Sequence, residues 1–135
     1  MKERWLPYSL VGYNNGKEII CHLLSSWQPD AACEWHPELT ADELATKVAE
    51  YRKKDWRPHI VSVHSNREDV KFLAVFLENK TNETWEFTPN LSVADYETQL
   101  IERKSKGQRP RCVASHITDS KVSYTVVWDR VPAGK

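Results

Sequence analysis

Histidines are the residues of this chain best suited to acid–base or metal chemistry, and there are five of them. His64 and His116 each follow a short apolar segment and precede a polar turn, so either could serve as a general acid or base. Tyr13 takes the corresponding place in an earlier segment, which favours a shared structural role. The remaining histidines have no HxH or HxxxH spacing and are His22, His36 and His59. With three scattered cysteines they form no zinc motif.

Nucleophile motifs give no stronger candidate. The chain has neither a GxSxG elbow nor an SxxK pair, and its nearest string, Thr118-Asp-Ser-Lys121, lies in a predicted turn. Carboxylate pairs such as Asp42/Glu43 lie at predicted helix starts and turns, where acidic side chains commonly cap helices and keep the surface soluble. Four glycines in the whole chain exclude a glycine-rich phosphate loop. The sequence therefore predicts no catalytic, cofactor-binding or metal-binding residue.

Composition narrows the class of protein. The 135 residues include nineteen basic and nineteen acidic side chains, so the net charge is zero and nucleic acid is not an expected partner. A local basic cluster spans Arg103 to Arg111, and its first part, Arg103 to Lys106, is interpreted as the solvated end of a helix. No apolar run approaches a membrane span, and the start of the chain does not resemble a signal peptide. The compartment stays open: cytoplasmic by default, extracytoplasmic if the parent protein is secreted or anchored.

An internal repeat is the clearest feature of the sequence. Residues 33–64 align without a gap on 85–116, and ten of these 32 positions are identical. Arg57-Pro58 falls on Arg109-Pro110, and a related start appears at Trp5 to Pro7. This predicts one domain over residues 1–130, with repeats at about 4–54 and 55–106, a half repeat at 107–130, and a tail at 131–135.

Local patterns predict the elements of each repeat. Two β-rich segments flank a polar turn, a short extended piece follows, and a helix begins at Thr40 or Ser92. Thr40 and Glu43 form a capping box, Gly107 is placed as a C-terminal cap, and Asp55 fills the equivalent place. Apolar stripes on both helices predict that they pack on one face of an antiparallel sheet, giving an α+β fold. The predicted helix stripes are Ala41, Leu44, Ala45, Val48 and Ala49 in one helix and Val93, Tyr96, Leu100 and Ile101 in the other.

The recurring pattern resembles the bacterial tandem repeat domain found in the N-terminal half of polyglycine hydrolases and attached to some bacterial serine/threonine kinases. The matching elements are Asp55-Trp-Arg-Pro58, Ser62, Val75-Phe76, Trp85, Leu91-Ser92, Tyr96, Gly107-Gln-Arg-Pro110, Ser115 and Val127-Trp128. The catalytic motifs of those hydrolases and kinases are absent from this chain, so the resemblance carries over no catalytic residue. It implies an accessory module that recognises a substrate or a partner.

Three functional hypotheses follow. The first is a non-catalytic binding or sensing module, for protein, peptide or glycan, of a larger bacterial protein. The second is a fragment of a serine/threonine kinase or serine hydrolase whose catalytic domain lies elsewhere. The third is an enzyme that uses His64 or His116 as its acid–base group. The six tryptophans are expected in the core, with ligand binding in a surface groove as the alternative. Residues that recur build the repeat, so any specific activity should lie where the copies differ.

Overall fold

The computed structural model describes residues 5–14, 19–27, 32–66 and 69–131. These residues form eight strands and two helices in this order along the chain: β1 (Trp5–Asn14), β2 (Ile19–Trp27), β3 (Cys33–Leu39), α1 (Ala41–Lys53), β4 (Trp56–Asn66), β5 (Asp69–Glu78), β6 (Trp85–Leu91), α2 (Val93–Ser105), β7 (Gln108–Thr118) and β8 (Lys121–Arg130). The chain divides into two compact units, Met1–Asn79 and Lys80–Lys135.

Hydrogen bonds group the described strands into three antiparallel sheets, with strand orders β1-β2, β3-β5-β4 and β6-β8-β7. The predicted α+β fold of repeated strands and helices is confirmed, whereas the expected continuous sheet is replaced by separate ones. In the two larger sheets the helix connects two parallel strands, and the antiparallel third strand lies between them. This is a split β-α-β arrangement, in which the short strand and helix join the hairpin that follows them.

The predicted repeat is confirmed at the level of register. Each element from β3 to β5 has its equivalent from β6 to β8, 52 positions further along the chain. Cys33 pairs with Leu77 as Trp85 pairs with Asp129, and the same offset holds through both sheets. Both outer hairpin strands also have a register shift after the motif proline, between Pro58 and Ile60 and between Pro110 and Cys112. A proline has no N–H to donate to the ladder, which explains a bulge at this point.

The helix ends follow the predicted capping chemistry. Thr40 accepts a hydrogen bond from the Glu43 amide while the Glu43 carboxylate accepts one from the Thr40 amide, so the capping box is complete. These bonds to Thr40 hold the pKa of Glu43 below its usual value. Ser92 accepts from the Asp95 amide in the same way, and its hydroxyl donates to the Asp95 carboxylate at 2.7 Å. Asp95, whose side chain is shorter than that of Glu43, thus takes part in one of the two hydrogen bonds of a capping box.

A residue with a left-handed backbone conformation follows the C-cap of each helix. Asp55 and Gly107, which follow the C-caps Lys54 and Lys106, have φ of 59° and 74°. Glycine adopts this conformation without the steric cost that a side chain brings, so the equivalence predicted for these two positions is confirmed. Asp119 and Ser120 also have positive φ and connect β7 to β8, as in a type I′ hairpin turn.

The core of the first unit lies between α1 and the middle strand β5. Every residue from Phe72 to Leu77 is buried, and Leu44, Val48 and Tyr51 of α1 cover one face of the strand. Tyr51 stacks on Phe76 with ring centroids 4.0 Å apart. The predicted stripe included Ala45 and Ala49, but both are exposed, and Tyr51 was missed because tyrosine also suits a surface.

The core of the second unit centres on Trp128, which is fully buried. Leu91 and Val126 pack with it, and Tyr96 and Leu100 of α2 pack against this cluster. Tyr124, Val126 and Trp128 share one face of the sheet, as the alternation in sequence predicts. Val93 and Ile101 were expected in the same stripe but are exposed, by 44% and 72%.

Some predicted features fall outside the described residues. These are the start of the first repeat before Trp5, the polar turn of that repeat after Asn14, the central residues 67–68 of the polar turn in the second repeat, and the tail after Val131.

Candidate functional site

The motif proline of the second unit determines how two arginines are presented. Arg109 and Arg111 flank Pro110 at the start of β7, and the register shift leaves Arg111 as the extra residue of a bulge. A bulge redirects its side chain relative to the alternation of the strand. Both guanidinium groups therefore reach the same neighbour on β8, Asp129, which is the direct cross-strand partner of Arg109.

Asp129 is a buried carboxylate held by both arginines. Its Oδ1 accepts from Arg109 Nε at 3.0 Å and its Oδ2 accepts from Arg111 Nη1 at 3.1 Å. Arg111 Nη1 also donates to Glu83 Oε2 at 3.3 Å. A buried carboxylate is stable when it is paired and hydrogen-bonded, so the arginines stabilise Asp129 in the folded chain. In turn, the carboxylate fixes the orientation of both guanidinium groups.

Arg109 keeps binding capacity after this contact. Its side chain is 53% exposed, and its two terminal nitrogens form no hydrogen bond to any residue in the described ranges. With Nε bonded to Asp129, these two nitrogens still offer N–H donors in one plane, a fork that matches the two oxygens of a carboxylate. Arg130 is exposed nearby and has no ion pair with another described residue.

An open cleft of about 440 Å³ surrounds these groups. Its lining consists of Asn82, Glu83, Thr84, Arg109, Arg111, Asp129, Arg130 and Val131. Three arginines face two carboxylates, which leaves one positive charge in excess. Amide and hydroxyl groups from Asn82 and Thr84 add neutral hydrogen-bonding capacity. The cleft is therefore suited to bind an anionic group that presents two oxygens in one plane.

The first unit has no equivalent of this arrangement. Leu77 stands where the second unit has Asp129, His59 stands at the bulge in place of Arg111, and Glu78 replaces Arg130. Arg57 matches Arg109 but is buried rather than half exposed. Apart from Arg109, the charged residues of the cleft thus stand at positions that differ between the copies. Sequence alone did not show which differing positions lie together, because Glu83, Arg111 and Asp129 come from three separate segments.

A second polar cleft, of about 340 Å³, lies beside the C-terminal end of α2. Arg103 dominates it: the guanidinium lies 4.7 Å from the centroid of the Trp128 ring and is in a salt bridge with Glu86. Gln99 and Gln108 accept further hydrogen bonds from Arg103 at 3.2 and 3.1 Å. The predicted solvated helix end is therefore wrong for Arg103, whose nitrogens bond neighbouring side chains of its own unit.

Tyr51 takes the place of Arg103 in the first unit. The Tyr51 hydroxyl donates to the Glu34 carboxylate. His36 Nε2 lies 2.9 Å from the hydroxyl oxygen of Tyr51. Burial, together with this acceptor, raises the pKa of Tyr51, so the phenol stays protonated. Burial and the nearby Lys47 lower the pKa of His36. The group is a packed hydrogen-bonded cluster, and Trp35 beside it is exposed whereas Trp85 and Trp128 are buried.

His64 and His116 lie at equivalent positions on β4 and β7, opposite Lys71 and Ser123. Burial lowers the pKa of both imidazoles, which favours their neutral forms at pH 7. Neither lines either of the two clefts. Across the described ranges, no three metal-binding side chains come together, and no helix there has the length and apolar character of a membrane span.

The fold and the repeated register define a class: a tandem-repeat protein built from strand–helix–strand–strand units. The family described as "Polyglycine hydrolase-like, structural repeat" matches residues 32–79 and 82–131, which coincide with β3–β5 and β6–β8. These matches cover well over half of the chain, which therefore belongs to this family of structural repeats. No curated protein and no solved structure matches it.

Proposed function

We propose that this chain is a non-catalytic recognition module of a larger bacterial protein, and that its second unit binds a carboxylate of a protein or peptide partner. The observation that supports this is the half-exposed Arg109 fork, which the buried Asp129 orients toward an open cleft. Guanidinium groups that are fixed in advance lose little freedom when a ligand binds, so a carboxylate gains most of the new hydrogen-bond energy.

Several features support recognition rather than catalysis. The cleft presents arginines, carboxylates, an amide and a hydroxyl, but no histidine, cysteine or lysine to transfer a proton or attack a bond. Asp129 is occupied by two arginines and is therefore a poor general base. The family to which the chain belongs is one of structural repeats, and its resemblance to repeats attached to hydrolases and kinases implies an accessory role.

The test is an NMR titration of the ¹⁵N-labelled chain with a short acetylated and amidated peptide that contains a single aspartate. An otherwise identical peptide with asparagine is the control ligand. We expect the aspartate peptide to shift the Arg109 side-chain resonance and the backbone resonances around Arg109 and Asp129. Removal of one charged donor should weaken binding by about tenfold, so Arg109→Gln should bind correspondingly less.

Two matched variants make the result interpretable. Lys104→Gln removes an exposed positive charge that lies outside the cleft, and it should leave binding unchanged. Arg130→Gln removes a cleft charge without touching the Asp129 pairs, so it separates ligand binding from stability. Equal binding of the aspartate and asparagine peptides, or full binding by a folded Arg109→Gln variant, would contradict the proposal.

A further inference from the structure

Strand β7 forms one edge of its sheet. It pairs with β8 along its whole length, and within the described part of its unit no strand lies on its other side. An edge strand presents backbone N–H and C=O groups that an extended peptide can use. The charged cleft lies at the start of this strand, where Arg109 and Arg111 are located.

The equivalent edge in the first unit is covered. β1 lies against β4 there, although the two strands belong to separate hydrogen-bonded sheets. Val61 of β4 is 5% exposed, whereas its equivalent Val113 of β7 is 43% exposed. Each helix also lies on the equivalent strand, α1 on β4 and α2 on β7, but α1 has buried side chains and α2 has none. An additional strand is thus compatible with this position of the repeat.

The uncovered edge combines two kinds of chemistry. Val113 pairs with Val126 and Ile117 pairs with Val122, which places Val113 and Ile117 on the helix side of the sheet. Both are exposed, Ile117 by 61%. Arg109 pairs with Asp129 on the opposite side, at the other end of the strand. A strand laid along β7 would therefore meet apolar side chains on one face and a guanidinium fork on the other.

We infer that β7 binds an extended acidic peptide by strand addition. The peptide backbone pairs with the outer edge of β7, its alternate apolar side chains cover Val113 and Ile117, and a terminal or side-chain carboxylate binds the Arg109 fork. This inference rests on the proposed function, because it uses the same carboxylate contact, and it adds the conformation and side-chain pattern of the partner. The apolar row selects β-branched residues, which favour an extended backbone.

The probe is a fluorescein-labelled peptide of alternating valine and threonine with aspartate at one end, made in both orientations. Its matched control carries N-methyl groups on alternate amides, which removes backbone donors but keeps every side chain. Fluorescence anisotropy should show at least about tenfold weaker binding of the methylated peptides. The unmethylated peptide should slow hydrogen exchange of the backbone amides of β7 over residues Cys112–Thr118. The N-methylated peptide should leave their exchange unchanged.

Two substitutions at equivalent places test the apolar row. Ile117→Lys puts a charge on the proposed binding face and should weaken binding, whereas Ser65→Lys, at the equivalent place on β4, should not. If both peptide forms bind equally well and Arg109→Gln still weakens binding, strand addition is wrong and carboxylate recognition stands. If no acidic peptide binds, both proposals fail. Concentration-dependent dimers that Ile117→Lys abolishes would instead assign the edge to a second copy of the chain.

Discussion

Tyr51 and Arg103 occupy the same position in the two helices and donate to equivalent acids, Glu34 and Glu86. Each also lies over the aromatic ring of the middle strand: Tyr51 stacks on Phe76, and Arg103 lies over Trp128. A phenol and a guanidinium thus meet one structural requirement, a flat group that covers a ring and ends in a donor. The chemistry of the position is retained although the residue type is not.

Loss of the Tyr51 hydroxyl should therefore destabilise the first unit modestly. Tyr51→Phe keeps the stacked ring and removes the hydrogen bonds to Glu34 and His36, so we expect a loss of about 1 kcal/mol in unfolding free energy. Urea denaturation followed by circular dichroism measures this loss. Tyr96→Phe is the control, because Tyr96 contributes a stacked ring against Tyr124. Equal losses for both variants would show that the hydroxyl contacts do not matter.

The tryptophans should fall into two classes by stability. Trp128 is fully buried, and its indole N–H donates to Thr88 at 3.2 Å, so Trp128→Ala should cost about 3–5 kcal/mol. Trp35 is 55% exposed, and Trp35→Ala should change stability by less than about 1 kcal/mol. The two variants can be compared by thermal unfolding. A large loss for Trp35→Ala would show that its exposed face is covered in solution.

Much of the fold could be predicted because its determinants are local. The capping residues Thr40 and Ser92, the motif prolines and the apolar runs of β5 and β8 each act over a few positions, and each of these signals occurs in both repeats. The sheet arrangement was harder to predict. Cys33–Leu39 pairs with a strand more than thirty positions further along the chain, and nothing in a short strand specifies so distant a partner.

The candidate site could not be predicted for the same reason. The sequence predicts Asp129 only as the polar end of a strand, and it places Arg111 in a basic cluster with Arg103 and Lys104. The fold separates that cluster into two clefts and brings Arg111 to Asp129 through a single-residue bulge. Comparison of the repeats predicts that a specific activity lies where the copies differ, but it does not show which of those positions lie together in the fold.

The helix C-termini provide a matched pair of backbone predictions. Gly107→Ala should destabilise the second unit by about 1 kcal/mol, because alanine disfavours the left-handed backbone at φ 74°. The cost is conformational, since a Cβ at this position would meet no atom within 4 Å. Asp55→Gly should have the opposite effect and stabilise the first unit by up to about 1 kcal/mol. Chemical denaturation measures the change in unfolding free energy for both variants. Changes of the same sign would contradict this explanation.

His64 and His116 should make the chain less stable in mild acid. Burial lowers the pKa of His64 below that of the unfolded chain, which is about 6.5, so the unfolded state binds protons first as the pH falls. Stability is therefore full above about pH 6.5 and declines as the pH falls toward and through the folded pKa, by up to about 1.4 kcal/mol per pH unit for each such histidine. His116, whose pKa burial also lowers, contributes in the same direction.

Urea unfolding between pH 8 and pH 5 measures this slope. His64→Gln removes one titrating group and should flatten the pH dependence, whatever its effect on stability at pH 8. Val61→Ala is the control for a buried residue of the same strand that does not titrate: it should lower stability at every pH and leave the slope unchanged. An unchanged slope in His64→Gln would show that the pKa of His64 is the same in the folded and unfolded chain.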